Sequence, residues 1–144
     1  MKTIKPSGYF LAALIMLVNS QLVFGDIAVV VNPHNTTETI TTIQAANIFL
    51  GKVKTMPNGK LIIPIDQSRK SKVRDSFYLK LVNKNPNQLN AYWARQVFTG
   101  KSQPPNQVED DNEVKLLIAD NPSMVGYISS DQVDSSIKVI LTIE

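Results

Sequence analysis

The stretch Leu61-Ile62-Ile63-Pro64-Ile65-Asp66-Gln67-Ser68-Arg69-Lys70-Ser71-Lys72-Val73-Arg74 changes character in its middle. Its first half is an apolar run that stops at Asp66, and its second half is a serine-rich, basic turn. Val73, Phe77 and Leu81 then recur at four-residue spacing. The pattern predicts a strand that delivers the chain into a helix. The first N–H groups of a helix lack intrahelical partners, and the macrodipole places partial positive charge beside them. With hydroxyls and guanidinium groups adjacent, such a turn suits an oxyanion. The plainer reading is that Ser71 caps the helix and the cations form a solvated face.

Outward from this stretch, strand and helix signals interleave. Residues 27–31 are short and β-branched and end at Asn32-Pro33, which reads as a buried strand. Thr41-Thr42-Ile43-Gln44 fits a capping box, with Ile40 and Ala45 placed as a hydrophobic staple. That helix is expected to end near Leu50, with Gly51 as its left-handed cap. Ile43, Ala46 and Leu50 are expected to face the core, with Ile48 and Phe49 broadening that face. Asn58-Gly59 marks a turn into the Leu61 run, and Pro64 implies an edge or irregular strand.

Beyond the basic helix, which runs to about Val82, Asn85-Pro86 opens another with Leu89, Tyr92, Trp93, Gln96 and Val97 on one face. That aromatic stripe reads as core. Gly100 to Asn106 reads as a loop. Asp110 and Glu113 suggest a cap for a helix presenting Val114, Leu117 and Ile118, ended by Asn121-Pro122. A short strand around Gly126 and an alternating strand over 137–143 follow. The interleaving argues for an α/β or α+β layer fold, without repeats or an interdomain linker.

Lys2 and Lys5, an apolar stretch over 9–18, and Val23-Phe24-Gly25 read as a secretory leader cut after Gly25. The apolar stretch is short for a membrane span. Residues 26–144 then suit one domain with one core. The chain has no cysteine, which excludes disulfides, thiol chemistry and a lipid attached to a cysteine after the leader. A soluble periplasmic protein is the simplest destination. Taking Lys2 and Lys5 from the 15 basic residues leaves 13 against 12 acidic ones, which does not suit a nucleic-acid binder. The distribution is uneven. Arg69, Lys70, Lys72, Arg74, Lys80 and Lys84 cluster around one helix, while residues 109–144 are markedly acidic.

Three blocks coincide with one family. Ile48-Phe49-Leu50-Gly51-Lys52 resembles a helix end of the phosphate-binding proteins of bacterial ABC importers. Tyr92-Trp93-Ala94-Arg95-Gln96-Val97-Phe98-Thr99-Gly100-Lys101 with Gln103-Pro104-Pro105 resembles short single-domain relatives of those proteins. Asn121-Pro122-Ser123-Met124-Val125-Gly126-Tyr127-Ile128 is similar to the family's closing strand. The resemblance spans nearly all of residues 26–144. It implies one lobe of the type II periplasmic-binding-protein-like fold, a small mixed sheet flanked by helices. Full-length members close two lobes over phosphate, and this chain has residues for about one.

The family's binding turn is an arginine followed by Gly-Ser-Gly-Thr-Ser-Phe. Here Arg69 and Ser76-Phe77 match its ends, but Val73, Arg74 and Asp75 replace Ser-Gly-Thr. The short relatives instead carry a serine three residues before an arginine, which Ser71 and Arg74 reproduce. The resemblance therefore implies an oxyanion site at Ser71 and Arg74, then Ser68 and Arg69, with Lys70 and Lys72 as lesser candidates. The ligand it implies is phosphate or a similar oxyanion, with a membrane transporter or sensor as partner and no cofactor. The alternative is an adaptor that keeps the lobe and has lost the ligand. No feature of the sequence sets an oligomeric state. His34 stands in a turn, and no HExxH, Gly-x-Ser-x-Gly or P-loop spacing occurs, so no enzyme is expected. Asp110, Asp111 and Glu113 read as helix-start caps before they read as a cation site.

Overall fold

The computed structural model describes residue 3 and residues 25–144. The leader expected at residues 1–25 lies outside the described residues, save for residue 3 and Gly25. Along the chain come β1 (Ile27–Val31), α1 (Thr42–Phe49), β2 (Ile63–Gln67), α2 (Lys72–Val82), α3 (Pro86–Phe98), β3 (Asn106–Val108), α4 (Asp111–Asp120), β4 (Met124–Ser129) and β5 (Lys138–Ile143). One turn of 3-10 helix, Ser130–Gln132, links β4 to β5. The five strands form one mixed sheet in the order β3-β2-β4-β1-β5. β2 runs parallel to β3 and β4, and β1 runs antiparallel to both β4 and β5.

β1 is buried along its whole length because both its edges are paired and both its faces are covered. Val29 and Val31 pack with Tyr127, Phe77 and Phe49 under α1 to α3, while Ala28 and Val30 pack with Val114 and Ile118 of α4. A strand covered on both faces carries a continuous apolar run rather than an alternation. Asn32, which ends β1, is buried and donates through Nδ2 to the carbonyls of Ile118 and Ala119 at 3.0 and 2.8 Å. It thereby supplies partners to the open C-terminal end of α4.

The helix starts follow their sequence signals. Thr41 accepts from the Gln44 N–H while Gln44 reaches back to the Thr41 N–H, a reciprocal cap. Asn85 and Gln88 repeat the arrangement ahead of Pro86. At α4, Asp110 accepts from Glu113 N–H, but the Glu113 carboxylate returns to the N–H of Glu109 instead. Gly51 adopts a positive φ of 71°, as expected for a left-handed cap. Gly126 has another purpose: a Cβ there would lie 2.7 Å from Val114 Cγ1, so β4 and α4 meet without room for a methyl group.

Four expectations need correction. Ile43 is 74% exposed, and Ala45 turns toward the core beside Ile48 and Phe49, which do face it. Val97 and Leu117 also reach solvent, so each of their helices buries a narrower stripe than the sequence suggests. β2 starts two residues after Leu61 and lies inside the sheet; Pro64 is tolerated because β2 pairs with β4 only at Ile63 and Pro64, and with β3 only from Ile65 onward. The expected loop gives way to β3 at its last residue, Asn106, a strand too short and too polar at Asn106 and Gln107 to mark itself in the sequence.

Candidate functional site

The connections around β2 create a crevice. After β2 the chain passes through α2 and α3 on one face and continues to β3 on the outer side. After β3 it passes through α4 on the opposite face and returns across β2 to β4. Helices that leave adjacent parallel strands toward opposite faces part at the strands' carboxyl ends, where open α/β sheets hold their ligands. A crevice of about 410 Å³ lies at that place. Gln67 and Ser129 from the ends of β2 and β4, Ser71 from the start of α2, and Glu109, Asp110 and Asp111 from the start of α4 line it, with Asp131 on the rim.

Ser71 is the sequence-predicted residue that reaches this crevice. Its Oγ accepts from the Arg74 N–H at 3.1 Å, so it is the N-cap of α2, and it donates to Gln67 Oε1 at 2.7 Å. Ser71 thus caps the helix and lines the crevice. The amides of Lys72 and Val73 stand in the first turn, where no intrahelical carbonyl is available. Ser68 lies in the turn before α2. Its N–H donates to the Val108 carbonyl, its carbonyl accepts from Ser71 N–H, and its hydroxyl accepts from Lys70 N–H. Arg69 and Lys70 are exposed at the tip of that turn and do not line the crevice.

Arg74 points the other way. It is 4% exposed, and its Nε donates to Asp66 Oδ2 at 3.1 Å. The other carboxylate oxygen of Asp66 accepts from the Gln67 N–H at 2.8 Å and from the Tyr127 hydroxyl. The guanidinium carbon sits 5.4 Å from the centre of the Tyr78 ring, within cation–π range. Burial opposes the charge on Arg74, but the Asp66 carboxylate outweighs it and holds the guanidinium above its ordinary value. Burial first, then Asp66, pushes the Tyr127 phenol well up, so it stays protonated as a donor. Beneath this network Phe77 stacks on Tyr127 at 3.7 Å, with Phe49 edge-on to both.

The most consequential residue in the crevice is Asp111, which the sequence offers as a helix-start cap ahead of a cation ligand. Its Oδ1 accepts from Gln67 Nε2 at 2.7 Å and its Oδ2 from the Ser129 N–H at 3.2 Å. Gln67 Nε2 also donates to the Tyr127 carbonyl at 2.9 Å, which fixes the amide in place. Burial raises the Asp111 carboxyl above the ordinary carboxylate range; the bonds from Gln67 and Ser129 oppose this, and Asp131 and Asp110 add to it. Among the described residues no group of three or more His, Cys, Asp or Glu side chains is placed to hold a metal ion. His34 is exposed in its turn.

No protein-family model matches the chain, and a search of curated proteins finds no match either. Solved structures do match. An ABC-type phosphate transport receptor from Vibrio cholerae shares 22% identity at a TM-score of 0.64, over 81% of this chain and 46% of its own. A protein from Clostridium perfringens, assigned as a phosphate ABC transporter substrate-binding protein and solved with bound phosphate, shares 22% at 0.62, over 81% and 45%. PstS from Borrelia burgdorferi shares 17% at 0.58, over 81% and 47%. At these identities the likeness establishes the fold alone, which this chain shares with part of each of those structures. The chain spans about half the length of the structures it matches.

Proposed function

We propose that this chain is a periplasmic binding module that takes phosphate or a similar oxyanion in the crevice between α2 and α4. One observation carries the reading: the crevice already holds an oxyanion of its own. Asp111's carboxylate rests on a side-chain amide and a backbone N–H at the ends of two parallel strands. Donors that suit a carboxylate oxygen suit a phosphate oxygen. Ser71 and the first-turn amides of α2 add donors beside them. Arg74 acts as a positioning residue, holding Asp66 and through it Gln67. The likeness to phosphate-binding structures supports the choice of anion.

The acidic lining favours phosphate over sulfate. Phosphate keeps a P–OH near neutral pH that a carboxylate accepts, whereas sulfate has no proton to give. The leader read at residues 1–25 and the lack of cysteine support a periplasmic, non-lipidated protein. In this reading the module is no enzyme, and a membrane transporter or sensor receives the anion.

The contacts of Asp111 and Arg74 also favour a second reading, an adaptor that has kept the lobe and closed its own site. Calorimetric titration with phosphate and sulfate, on the wild type and on Asp111→Ala, separates the two. Heat from phosphate that strengthens when Asp111 is removed supports binding. Silence from both proteins at millimolar anion, with both folded by circular dichroism, defeats it in favour of the adaptor.

A further inference from the structure

At the opposite end of β2 lies a second concavity, larger than the crevice and different in kind. It measures about 660 Å³ and is floored by Ile48, Leu61, Ile62, Ile63 and Pro64. The loop after α3, with Pro104 and Pro105, forms its far wall. Leu61 is 71% exposed and Ile63 47%, so these apolar side chains stand open to water. Beside Ile63 and Pro64 the sheet has a gap, because β3 joins β2 only from Ile65 onward. The charge at the margin has a single sign: Lys54 and Lys101 line the groove, and no acidic residue does. Exposed apolar surface rimmed by polar groups is characteristic of an interaction site.

We propose that this groove docks an acidic, apolar segment of a partner protein across Leu61 and Ile63. Leucine-like side chains would cover Leu61 and Ile63, and carboxylates would meet Lys54 and Lys101. The two lysines select the sign of the partner's charge and speed its approach. The crevice plays no part, so this inference stands or falls apart from oxyanion binding.

A fluorescent peptide alternating leucine with glutamate, compared with one alternating leucine with lysine, tests it by anisotropy. The glutamate peptide is expected to bind at least about tenfold more tightly, a difference of about 1.4 kcal/mol. Leu61→Asp, at an exposed position, should abolish that binding with the thermal midpoint unchanged. Lys54→Glu combined with Lys101→Glu should reverse the preference between the two peptides. Equal binding of both peptides, no binding of either, or indifference to Leu61→Asp overturns the proposal. So does a wild-type dimer in sedimentation that Leu61→Asp dissolves, since a second copy would then own the groove.

Discussion

The two ends of β2 solve opposite problems. At its carboxyl end, Asp66 and Gln67 are buried and polar, and each is tied to several partners. At its amino end, Leu61 and Ile63 are apolar and exposed, and pair with little. The first end has polar groups that burial would penalise unless they were bonded, and the fold bonds them. The second has surface that water disfavours, and the described chain leaves it uncovered. Bonded polar groups therefore collect at one end of the strand and uncovered apolar area at the other.

The largest expected effect comes from breaking the carboxyl end. Arg74→Ala leaves Asp66 buried without its counter-ion, and loss of one partner from a buried pair costs about 3–5 kcal/mol. Urea unfolding followed by circular dichroism measures it; a loss under 1 kcal/mol would place the ion pair in water. The groove should be unaffected, so Leu61→Asp gives the contrast, with a stability change within about 0.5 kcal/mol. Gly126→Ala comes next. Its methyl group would meet Val114 Cγ1 at 2.7 Å, and overpacking of this kind costs about 1–3 kcal/mol, read as a lower thermal midpoint.

Asp111→Ala should strengthen phosphate and sulfate binding about tenfold by freeing two donors and removing a nearby like charge. Ser71→Ala should cost about 1 kcal/mol of stability as a lost N-cap and also lower anion affinity, and a variant that lost stability alone would leave Ser71 only structural. The smallest effect is one of pH. The Asp111 carboxyl is raised in the native state, so that state takes up its proton at a higher pH than the unfolded chain does. The resulting stabilisation is present at low pH and fades as pH rises through the native value. Sulfate stays a dianion across this window, so its affinity should rise a few-fold on acidification in the wild type. That pH dependence should be absent from Asp111→Ala.

Most of the layer architecture could be read from the residues, because capping boxes and apolar runs are local signals. Thr41 to Gln44, Asn85-Pro86 and Ser71 all cap where their spacing implies. Faces were harder. Ile43 shares the period of its helix yet points outward, since which stripe is buried depends on where the sheet lies. The site was legible in half. The turn at Ser71 does meet a crevice, but the direction of Arg74 depends on Asp66, eight residues back, and on Tyr127, across the sheet. Asp111, which meets both Gln67 and the Ser129 N–H, joins helix α4 to strands β2 and β4, and no spacing in one sequence marks such a meeting. One clue was available: an aspartate closing an apolar strand must be paired if buried, and an arginine within reach on the next helix is a natural counter-ion.

The central strand of the sheet has a consequence for how the molecule comes into being. β1 begins the described fold, yet its neighbours on both sides, β4 and β5, are made last, about a hundred residues later. Pairing over such separation slows folding. While the ribosome is still adding residues 124–143, Ile27 to Val31 have no ladder to join. Until β4 and β5 follow it, the continuous apolar run of β1 has neither of its neighbours to cover its edges.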